Sequence, residues 1–469
     1  MTMSRITRVA AGAALVAVSG ALLVGCSASP APRDPGSGQA ITVWSEENQP
    51  DRVEATKRII AGFTKKTGIT VKLVPVDEAQ VPQLVASAAI SGKLPDVMGG
   101  IPLSIVRQFD TQKLLDTSAP AKVVSALGKS TFVGSALALD ADGDRQLAVP
   151  DSAYAQILVY RKDLFAKAGL QPPTTYSAIA KAARILTTGG DYGITLATDP
   201  SDVFTSQTFE SLALGNDCQL IEANGTVGLD AKECRPTWDL YGRLAQKYSP
   251  DGTQTVDTTR ATYFAGKAAM VDWSSYILDE LAGLRNDALP TCPECKGHPT
   301  WLAQNSGIVT SISGPDGKEG ATYGEATSWV VTKHANTSAS AKFIQYMLSD
   351  GYLPWLGLAP EGKFPLRTGT SADPTRFTDG WKDLTAGVDT KKRLSAVYDA
   401  ATIDALIAVP SHIGRWAIPQ GYGSLLGPVN TALPVSKAVA DLGSGSATPA
   451  EAAKTATDAV AQLQTKLSR

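Results

Sequence analysis

A cluster of aspartates has the residue types and the spacing of a metal site: Asp140-Ala141-Asp142-Gly143-Asp144. Carboxylates at alternate positions begin a calcium-binding loop. The sixth position of such a loop needs glycine for its sharp turn, and this chain has Arg145 there. The cluster is therefore better interpreted as an Asp-Gly hairpin, which joins a strand over residues 136–139 to a strand over residues 146–149.

Cysteines form a second chemically informative group. Four of the five cysteines lie in the body of the chain, namely Cys218, Cys234, Cys292 and Cys295. In a secreted protein an even number of cysteines indicates disulfides, and four cysteines allow three pairings. Proximity in the sequence favours Cys218–Cys234 and Cys292–Cys295. The alternative for the second pair, with His298 nearby, is a zinc or redox site, for which a single Cys-x-x-Cys is weak evidence.

The fifth cysteine, Cys26, belongs to an export signal. Arg5 and Arg8 precede an apolar run, which is typical of a secretory signal peptide over residues 1–25. The run is shorter than a comfortable membrane span of about 20 apolar residues. Leu23-Val24-Gly25-Cys26 matches the bacterial lipobox, so we expect Cys26 to carry a lipid such as palmitate. Residues 26–39, rich in Ser, Pro and Gly, then form a flexible tether to the outer face of the cell membrane.

Motifs of nucleotide-binding and hydrolytic enzymes are incomplete or missing from the sequence. Gly357 and Gly362-Lys363 match half of a phosphate-binding loop, but Phe364 replaces the Ser or Thr that would bind magnesium. The chain has no G-x-S-x-G or H-E-x-x-H segment, and its three histidines are scattered. We therefore expect no enzymatic activity, no metal and no cofactor.

Length and composition predict a large globular protein. A chain of 469 residues, 43% hydrophobic and 19% charged, can bury a sizeable core and is long enough for two or more domains. The formal net charge is −2, and removal of Arg5 and Arg8 with the signal peptide leaves −4. This balance gives no support to nucleic acid as a partner.

The segment over residues 146–173 organises the rest of the sequence. Its first part is apolar and alternating, which predicts a strand, and residues 162–168 have helical spacing that ends at Gly169. Pro172-Pro173 then bars continuation. The run VPDSAYAQILVYRKDLFAKAGLQPP resembles the signature of extracellular sugar-binding proteins of ATP-binding-cassette (ABC) importers, of the maltodextrin-binding-protein type. In that family it forms the first crossing between two lobes, beside the ligand.

Further segments resemble the same family in the same order, so that the resemblance covers nearly all of residues 40–467. They are the β-α-β opening over residues 40–76, the G..PDV segment over residues 92–97, the F..GKAAM segment within residues 260–273, the return strand over residues 323–331, the third crossing over residues 356–367 and the terminal helix over residues 447–467.

The resemblance implies an α/β, two-lobe periplasmic-binding-protein-like fold. Each lobe would be a mixed sheet flanked by helices, with three interlobe crossings near Val149, Gly324 and Gly362. Lobe 1 would comprise residues 40–148 and 325–362, and lobe 2 would comprise residues 149–324 and 363–469. The cleft between the lobes would hold the ligand.

The resemblance also implies a set of ligand contacts. Carboxylates and arginine hydrogen-bond hydroxyl groups, and aromatic faces cover the C–H patches of a sugar ring. The residues at the family's contact positions are Asp96, Asp151, Trp273 and Arg415, then Tyr154, Glu325, Trp416, Glu47 and Asn48, with Trp44 and Glu46 beside the last two. Alternatives stay open, because Asp96 could cap a turn and Trp273, Arg415 and Trp416 could pack structurally.

The function implied by the resemblance is capture of an extracytoplasmic mono- or oligosaccharide and its delivery to the transmembrane permease of an ABC importer. The protein would be a membrane-anchored monomer. One alternative is a binder of another solute, such as a phosphodiester or a peptide, although a phosphate would favour a basic cleft. A less favoured alternative is a glycoside hydrolase, in which Asp96 with Asp151 or Glu325 would be the facing carboxylates.

Overall fold

A nine-stranded mixed sheet forms the centre of the protein, and helices pack around it. The computed structural model describes residues 40–317 and 319–467. The predicted signal peptide, tether and Cys26 lie outside these residues. Within the described ranges, no helix combines the length and the apolar character needed to cross a membrane.

The strands of the described residues follow one another along the whole chain. They are β1 Ala40–Ser45, β2 Thr70–Pro75, β3 Val97–Pro102, β4 Ala141–Asp142, β5 Arg145–Gln146, β6 Val149–Arg161, β7 Met270–Ser274, β8 Ser306–Val309, β9 Thr322–Val331, β10 Phe364–Pro365, β11 Thr385–Ala386, β12 Lys392–Arg393 and β13 Ile413–Gly414.

The helices alternate with these strands and dominate the second half of the chain. They are α1 Pro50–Thr67, α2 Val81–Ile90, α3 Leu103–Thr111, α4 Ser118–Leu127, α5 Gly134–Leu139, α6 Lys162–Lys167, α7 Tyr176–Leu186, α8 Val203–Leu214, α9 Arg235–Tyr248, α10 Val256–Phe264, α11 Ile277–Leu281, α12 Trp301–Gln304, α13 Thr337–Met347, α14 Tyr352–Leu356, α15 Arg376–Lys382, α16 Ala400–His412, α17 Leu426–Ala432, α18 Pro434–Gly443 and α19 Pro449–Leu467. Short 3₁₀ helices include Glu78–Gln80 and Pro360–Gly362.

The opening β-α-β unit forms as the sequence pattern predicts. Helix α1 starts with Pro50 in its first turn and ends at Gly68, whose φ of 73° is left-handed and therefore favours glycine. Its apolar face, including Ile59, Ile60 and Phe63, is buried. Strand β1 pairs in parallel with β2 on one side and with β3 on the other.

Strand β6 links the two ends of the sheet, because its 13 residues pair with four other strands. Its first half pairs with β9 and β10, and its second half pairs with β7 and β8, all antiparallel. Strand β9 continues from β6 to β3, which gives the order β10-β6-β9-β3-β1-β2. The strand and helix predicted over residues 146–168 are therefore confirmed, with α6 followed by Gly169 at a φ of 65°.

The predicted Asp-Gly hairpin is confirmed, but the strand predicted over residues 136–139 is wrong. The hairpin consists only of β4 and β5, and Gly143 has a φ of 57° between them. Residues 136–139 belong to helix α5 instead. Alanine and leucine favour a helix. In α5 the side chains of Ala136, Leu137 and Leu139 are all buried in the main core, and the local alternation of apolar residues does not reveal that packing.

Both predicted disulfides are present. Cys218 bonds to Cys234 and Cys292 bonds to Cys295, with Cα–Cα distances of 4.5 and 5.0 Å. All four cysteines are buried. The Cys218–Cys234 pair belongs to the apolar core around Trp238 and α9, whereas the second pair contacts the main core that packs against the sheet.

Candidate functional site

A cavity of about 470 Å³ lies at the carboxyl ends of β1 and β3, opposite β7 and α11. Strands β6 and β9 contribute to its floor through Tyr154 and Thr327. Most of its lining side chains are polar or charged. They are Glu46, Glu47, Gln49, Arg52, Glu78, Tyr154, Gln207, Arg260, Ser274, Tyr276, Asp279, Glu280, Arg285, Asp287, Thr327, Glu361 and Lys363, with Gly100, Pro102 and Ala288.

A buried ion-pair cluster forms one side of the cavity. Lys363 Nζ lies 2.6 Å from Glu47 Oε1, and Arg52 Nη1 donates to Glu47 Oε2 at 3.0 Å. Lys363 is only 2% exposed, and its ammonium group also lies 4.5 Å from the ring centroid of Trp355. Burial alone would raise the pKa of Glu47, but Lys363 and Arg52 together hold that pKa below its ordinary value. Glu47 is therefore a carboxylate at neutral pH.

The opposite side of the cavity comes from β7, α11 and the residues that follow them. Arg260 Nη1 donates to Glu280 Oε1 at 2.9 Å, and Arg285 pairs with Asp287 at 3.0 Å. Burial raises the pKa of Asp279 to about 8 and that of Glu280 to about 7. This side of the cavity therefore holds two carboxyl groups that ionise less readily than exposed ones.

Two tyrosine rings supply the aromatic surface. Tyr154 and Tyr276 have ring centroids 5.6 Å apart and an interplanar angle of 56°. Gln207 Nε2 donates to the Tyr154 hydroxyl at 3.1 Å, and the Arg52 guanidinium lies 5.8 Å from the Tyr276 ring centroid. The rings are thus held in place by neighbours that also line the cavity.

Three of the candidate contact residues line the cavity. They are Glu46, Glu47 and Tyr154. Asn48 is exposed and does not line the cavity. The side chains immediately after β1 therefore diverge, because the turn into α1 directs only some of them toward the opposite wall.

Asp96 does not line the cavity, although it was predicted to contact the ligand. One of its carboxylate oxygens accepts the backbone N–H of Thr42 in β1 at 2.8 Å. The other accepts the backbone N–H of Asn336 at 2.8 Å, immediately before α13. Asp96 is 4% exposed and joins two elements that are far apart in the sequence.

Asp151 and Trp273 lie directly behind the cavity wall. Asp151 is buried, and Thr327, which lines the cavity, donates to Asp151 Oδ1 at 3.0 Å. Trp273 donates from Nε1 to Val256 O at 3.0 Å and packs edge-on against Phe204. The lining residue Arg260 stacks over its ring at 5.7 Å. Both residues support lining side chains instead of lining the cavity.

Arg415, Glu325 and Trp416 also lie outside the cavity wall, in a buried polar network. Arg415 bonds to Glu210 and to Glu325, and Glu325 Oε1 accepts the backbone N–H of Leu103 at 2.9 Å. Trp416 donates from Nε1 to Cys218 O at 2.8 Å and belongs to the apolar core around α9. Arg415 Nε and Nη1, both carboxylate oxygens of Glu325 and Trp416 Nε1 therefore bond within the protein.

Several lining residues were missed by the sequence analysis. Lys363 was considered only as part of a phosphate loop, although it directly follows the predicted crossing at Gly362. Tyr276, Asp279 and Glu280 follow β7 directly, and charged side chains just beyond a strand end were the signal available. Arg52 and Gln207 lie on helices, where periodicity cannot distinguish a cavity wall from a solvated face.

The arrangement suits recognition of a polar ligand rich in hydroxyl groups. Carboxyl groups, guanidinium groups and two amides line the cavity together with two aromatic rings. Asp96, Asp151 and Glu325, the carboxylates considered for a hydrolase pair, do not line this cavity. Within residues 40–317 and 319–467, no three His, Cys, Asp or Glu residues are grouped so that they could hold a metal ion.

Solved structures share this fold at low sequence identity. The GacH receptor of Streptomyces glaucescens, solved unliganded and with acarbose, has a TM-score of 0.66 at 19% identity, covering 91% of this chain and 98% of that chain. Maltose-bound T. maritima MalE3 also has a TM-score of 0.66, at 18% identity over 90% of this chain and 99% of its own. A cyclic alpha-maltosyl-1,6-maltose binding protein from Arthrobacter globiformis gives 0.66 at 19% identity, over 91% and 99% of the two chains. The predicted two-lobe α/β fold is confirmed by this similarity.

Sequence comparison identifies the family. A putative ABC transporter periplasmic-binding protein of Escherichia coli strain K12, YcjN, is 30% identical over 375 residues, which cover 78% of this chain and 80% of the relative. The family model described as bacterial extracellular solute-binding protein matches residues 47–353. That range contains β2 to β9 and most of the cavity wall. The chain therefore belongs to the bacterial extracellular solute-binding protein family.

Proposed function

We propose that this protein captures a carbohydrate outside the cytoplasm, in the cavity between β1–β3 and β7–α11, and delivers it to the permease of an ABC importer. The observation that carries the proposal is the cavity itself, where hydrogen-bonding side chains surround the Tyr154–Tyr276 ring pair. A volume of about 470 Å³ falls within the range of about 300 to 1,000 Å³ for small-molecule sites.

The chemistry of the wall matches that of a sugar. A sugar presents hydroxyl groups around small apolar patches, so it needs charged or amide partners for the former and ring faces for the latter. Hydrogen bonds to charged groups contribute about 1.5 to 3 kcal/mol each, and a micromolar site needs about 8.2 kcal/mol. A few such bonds and one stacked tyrosine would therefore suffice.

The names of the relatives also support a carbohydrate-binding protein of an ABC importer. The E. coli relative is named as a putative ABC transporter periplasmic-binding protein, and the structures from Streptomyces, T. maritima and Arthrobacter contain or are named for sugars and a sugar-like ligand. A phosphodiester is disfavoured, because Arg52, Arg260 and Arg285 are already paired with carboxylates. We therefore propose a binding protein without catalytic activity, acting as a monomer.

Capture would involve movement of two lobes about the long strands. We propose the boundaries implied by the sequence, with lobe 1 over residues 40–148 and 325–362 and lobe 2 over residues 149–324 and 363–469. Strands β6 and β9 would connect the two lobes, since each pairs with strands of both halves. Closure would bring the Glu47 and Tyr276 sides of the cavity around the ligand.

The test begins with a thermal-shift screen of mono- and disaccharides on the purified mature protein. A true ligand at 100 times its dissociation constant should stabilise the native state by about 2.7 kcal/mol. Gln207→Ala should then weaken binding at least tenfold by calorimetry, because it removes a polar lining group and frees the Tyr154 hydroxyl.

Gln246→Ala is the matched control. Its Nε2 also donates one hydrogen bond, to Leu442 O at 2.6 Å, but Gln246 does not line the cavity. Affinity should be unchanged in this variant. Sugars that fail to stabilise the protein, or equal losses in the two variants, would contradict the proposal.

A further inference from the structure

The cavity wall contains more acidic than basic residues. Seven of its lining residues are acidic and four are basic. The whole chain, by comparison, has a formal net charge of only −2 over 469 residues. The surplus of three carboxylates is therefore a local property of the cavity.

The basic residues do not neutralise this surplus, because each is already paired. Lys363 and Arg52 both bind Glu47, Arg260 binds Glu280, and Arg285 binds Asp287. Among the residues that the structure describes, four lining carboxyl groups form no ion pair with lysine or arginine. They are Glu46, Glu78, Asp279 and Glu361.

Several carboxylate oxygens in this wall also lack hydrogen-bond partners within the described part of the chain. They are Glu46 Oε1, Glu280 Oε2 and Glu361 Oε2. Glu361 is 2% exposed and Glu280 is 7% exposed, so bulk water does not satisfy them. A buried acceptor without a partner is costly, and a group that donated hydrogen bonds to these oxygens would remove that cost.

The surroundings of these groups favour a cation. Burial raises the pKa of Glu361 to about 7, and Arg52, Lys391 and Arg285 lower it only in part. Burial, followed by the nearby charges of Glu78 and Glu47, raises the pKa of Glu46, while Lys363 acts in the opposite direction. An added positive charge beside these carboxyls would favour their ionised forms.

We propose that the ligand of this cavity is a carbohydrate that carries a protonated amine, such as an amino sugar, and that Glu46 and Glu361 receive the ammonium group. This inference rests on the proposed carbohydrate-binding function. An ammonium group supplies three donors and one positive charge, and the wall offers unpartnered oxygens and a surplus of acidic groups. The ring and its hydroxyls would occupy the Tyr154–Tyr276 side.

The experiment compares sugars that differ in one group. Calorimetry on the mature protein would use glucosamine, galactosamine and mannosamine beside glucose, galactose and mannose, and chitosan disaccharide beside cellobiose and N,N′-diacetylchitobiose. The last compound keeps the nitrogen but not its charge. For whichever sugar skeleton binds, the amine form should bind at least tenfold more tightly than every neutral sugar with which it is compared.

Variants locate the ammonium group. Glu46→Gln and Glu361→Gln should each reduce affinity for the amine form at least tenfold, while any weak binding of the neutral form changes little. Glu294→Gln, an exposed substitution outside the cavity wall, should leave both affinities unchanged. Because glutamine is nearly isosteric with glutamate, a thermal melt of each empty variant checks that it folds.

The outcomes separate this inference from the proposed function. Neutral sugars that bind as tightly as their amine forms would overturn the inference and leave carbohydrate binding intact. Unaltered affinity of both glutamine variants for the amine form would overturn the placement at Glu46 and Glu361. Failure of every sugar, charged or neutral, to bind would overturn both proposals.

Discussion

At the residue scale, the decisive feature is the placement of Arg415. Its guanidinium lies between two buried carboxylates, with Nε 3.2 Å from Glu210 Oε1 and Nη1 bonded to Glu325 Oε2. It also lies 4.9 Å from the ring centroid of Tyr323. Burial raises the pKa of Glu210, and the charge of Arg415 counteracts that rise. Arg415 therefore has a structural task in the described fold.

Arg415→Ala should destabilise the protein strongly. Removal of the guanidinium leaves Glu210 and Glu325 as buried, unpaired carboxylates, and loss of one partner from a buried pair typically costs about 3 to 5 kcal/mol. Urea denaturation of the empty protein should show a fall of this size. Arg393→Ala is the control, because the Arg393–Asp383 pair is exposed and should contribute little.

The same variant also tests the contact role that the sequence suggested. If Arg415→Ala left the unfolding free energy unchanged while it abolished ligand binding, the ligand role would be restored and the structural role would be rejected.

At the element scale, strand β7 reaches the cavity wall at Ser274 and also carries a buried carboxyl group, that of Asp272. Its residues pair with β6, and Asp272 lies opposite Leu158. Asp272 is 1% exposed, and Ser211 Oγ donates to its Oδ2 at 2.9 Å. Burial raises the pKa of Asp272 to about 8, so the folded strand holds a neutral carboxyl group near neutral pH.

This raised pKa predicts how stability varies with pH. Below about pH 3.9, the carboxyl is protonated in both the folded and the unfolded chain. As pH rises toward 8, only the unfolded chain releases the proton, so stability falls by about 1.4 kcal/mol per pH unit from this group. Asp272→Asn should remove that slope in urea titrations between about pH 5 and pH 8.

Asp383→Asn, an exposed substitution, provides the reference slope. An Asp272→Asn variant whose stability followed the same pH dependence as wild type would show that Asp272 ionises normally within β7.

At the scale of the whole molecule, the proposed function requires the folded body to remain near its permease. The lipid expected on Cys26 would supply this tether, although Cys26 lies outside the described residues. Membrane attachment would raise the local concentration of the binding protein at the permease without any contact from the folded part. The lipid anchor on Cys26 is thus a proposal that is independent of ligand binding in the cavity.

Cys26→Ala should release the protein from cells into the medium, because the acyl chain can no longer be attached. Fractionation followed by immunoblotting would measure the cell-bound share. Ser27→Ala, next to the same site, should leave the protein on the membrane. Retention of the Cys26→Ala protein in the membrane fraction would refute the lipid anchor.

The elements of the fold could be predicted because their signals are local. Alternating apolar residues specified β6, helical spacing and Gly169 specified α6, and proximity favoured the two disulfides. The family motifs also occur in order along the chain, so the two-lobe fold followed from them. Residues 136–139 departed from this pattern, since their burial in α5 depends on distant packing.

The cavity wall, in contrast, was decided by tertiary structure. Tyr154 lies in the wall and Asp151 lies behind it, because the register of β6 against β9 shifts between Pro150 and Ser152 and leaves Asp151 outside the regular pairing. The buried ammonium of Lys363 is paired with Glu47, which is remote in sequence but lies 2.6 Å away. Sequence determined which elements form and in what order, and long-range pairing of charges determined which polar groups face a ligand.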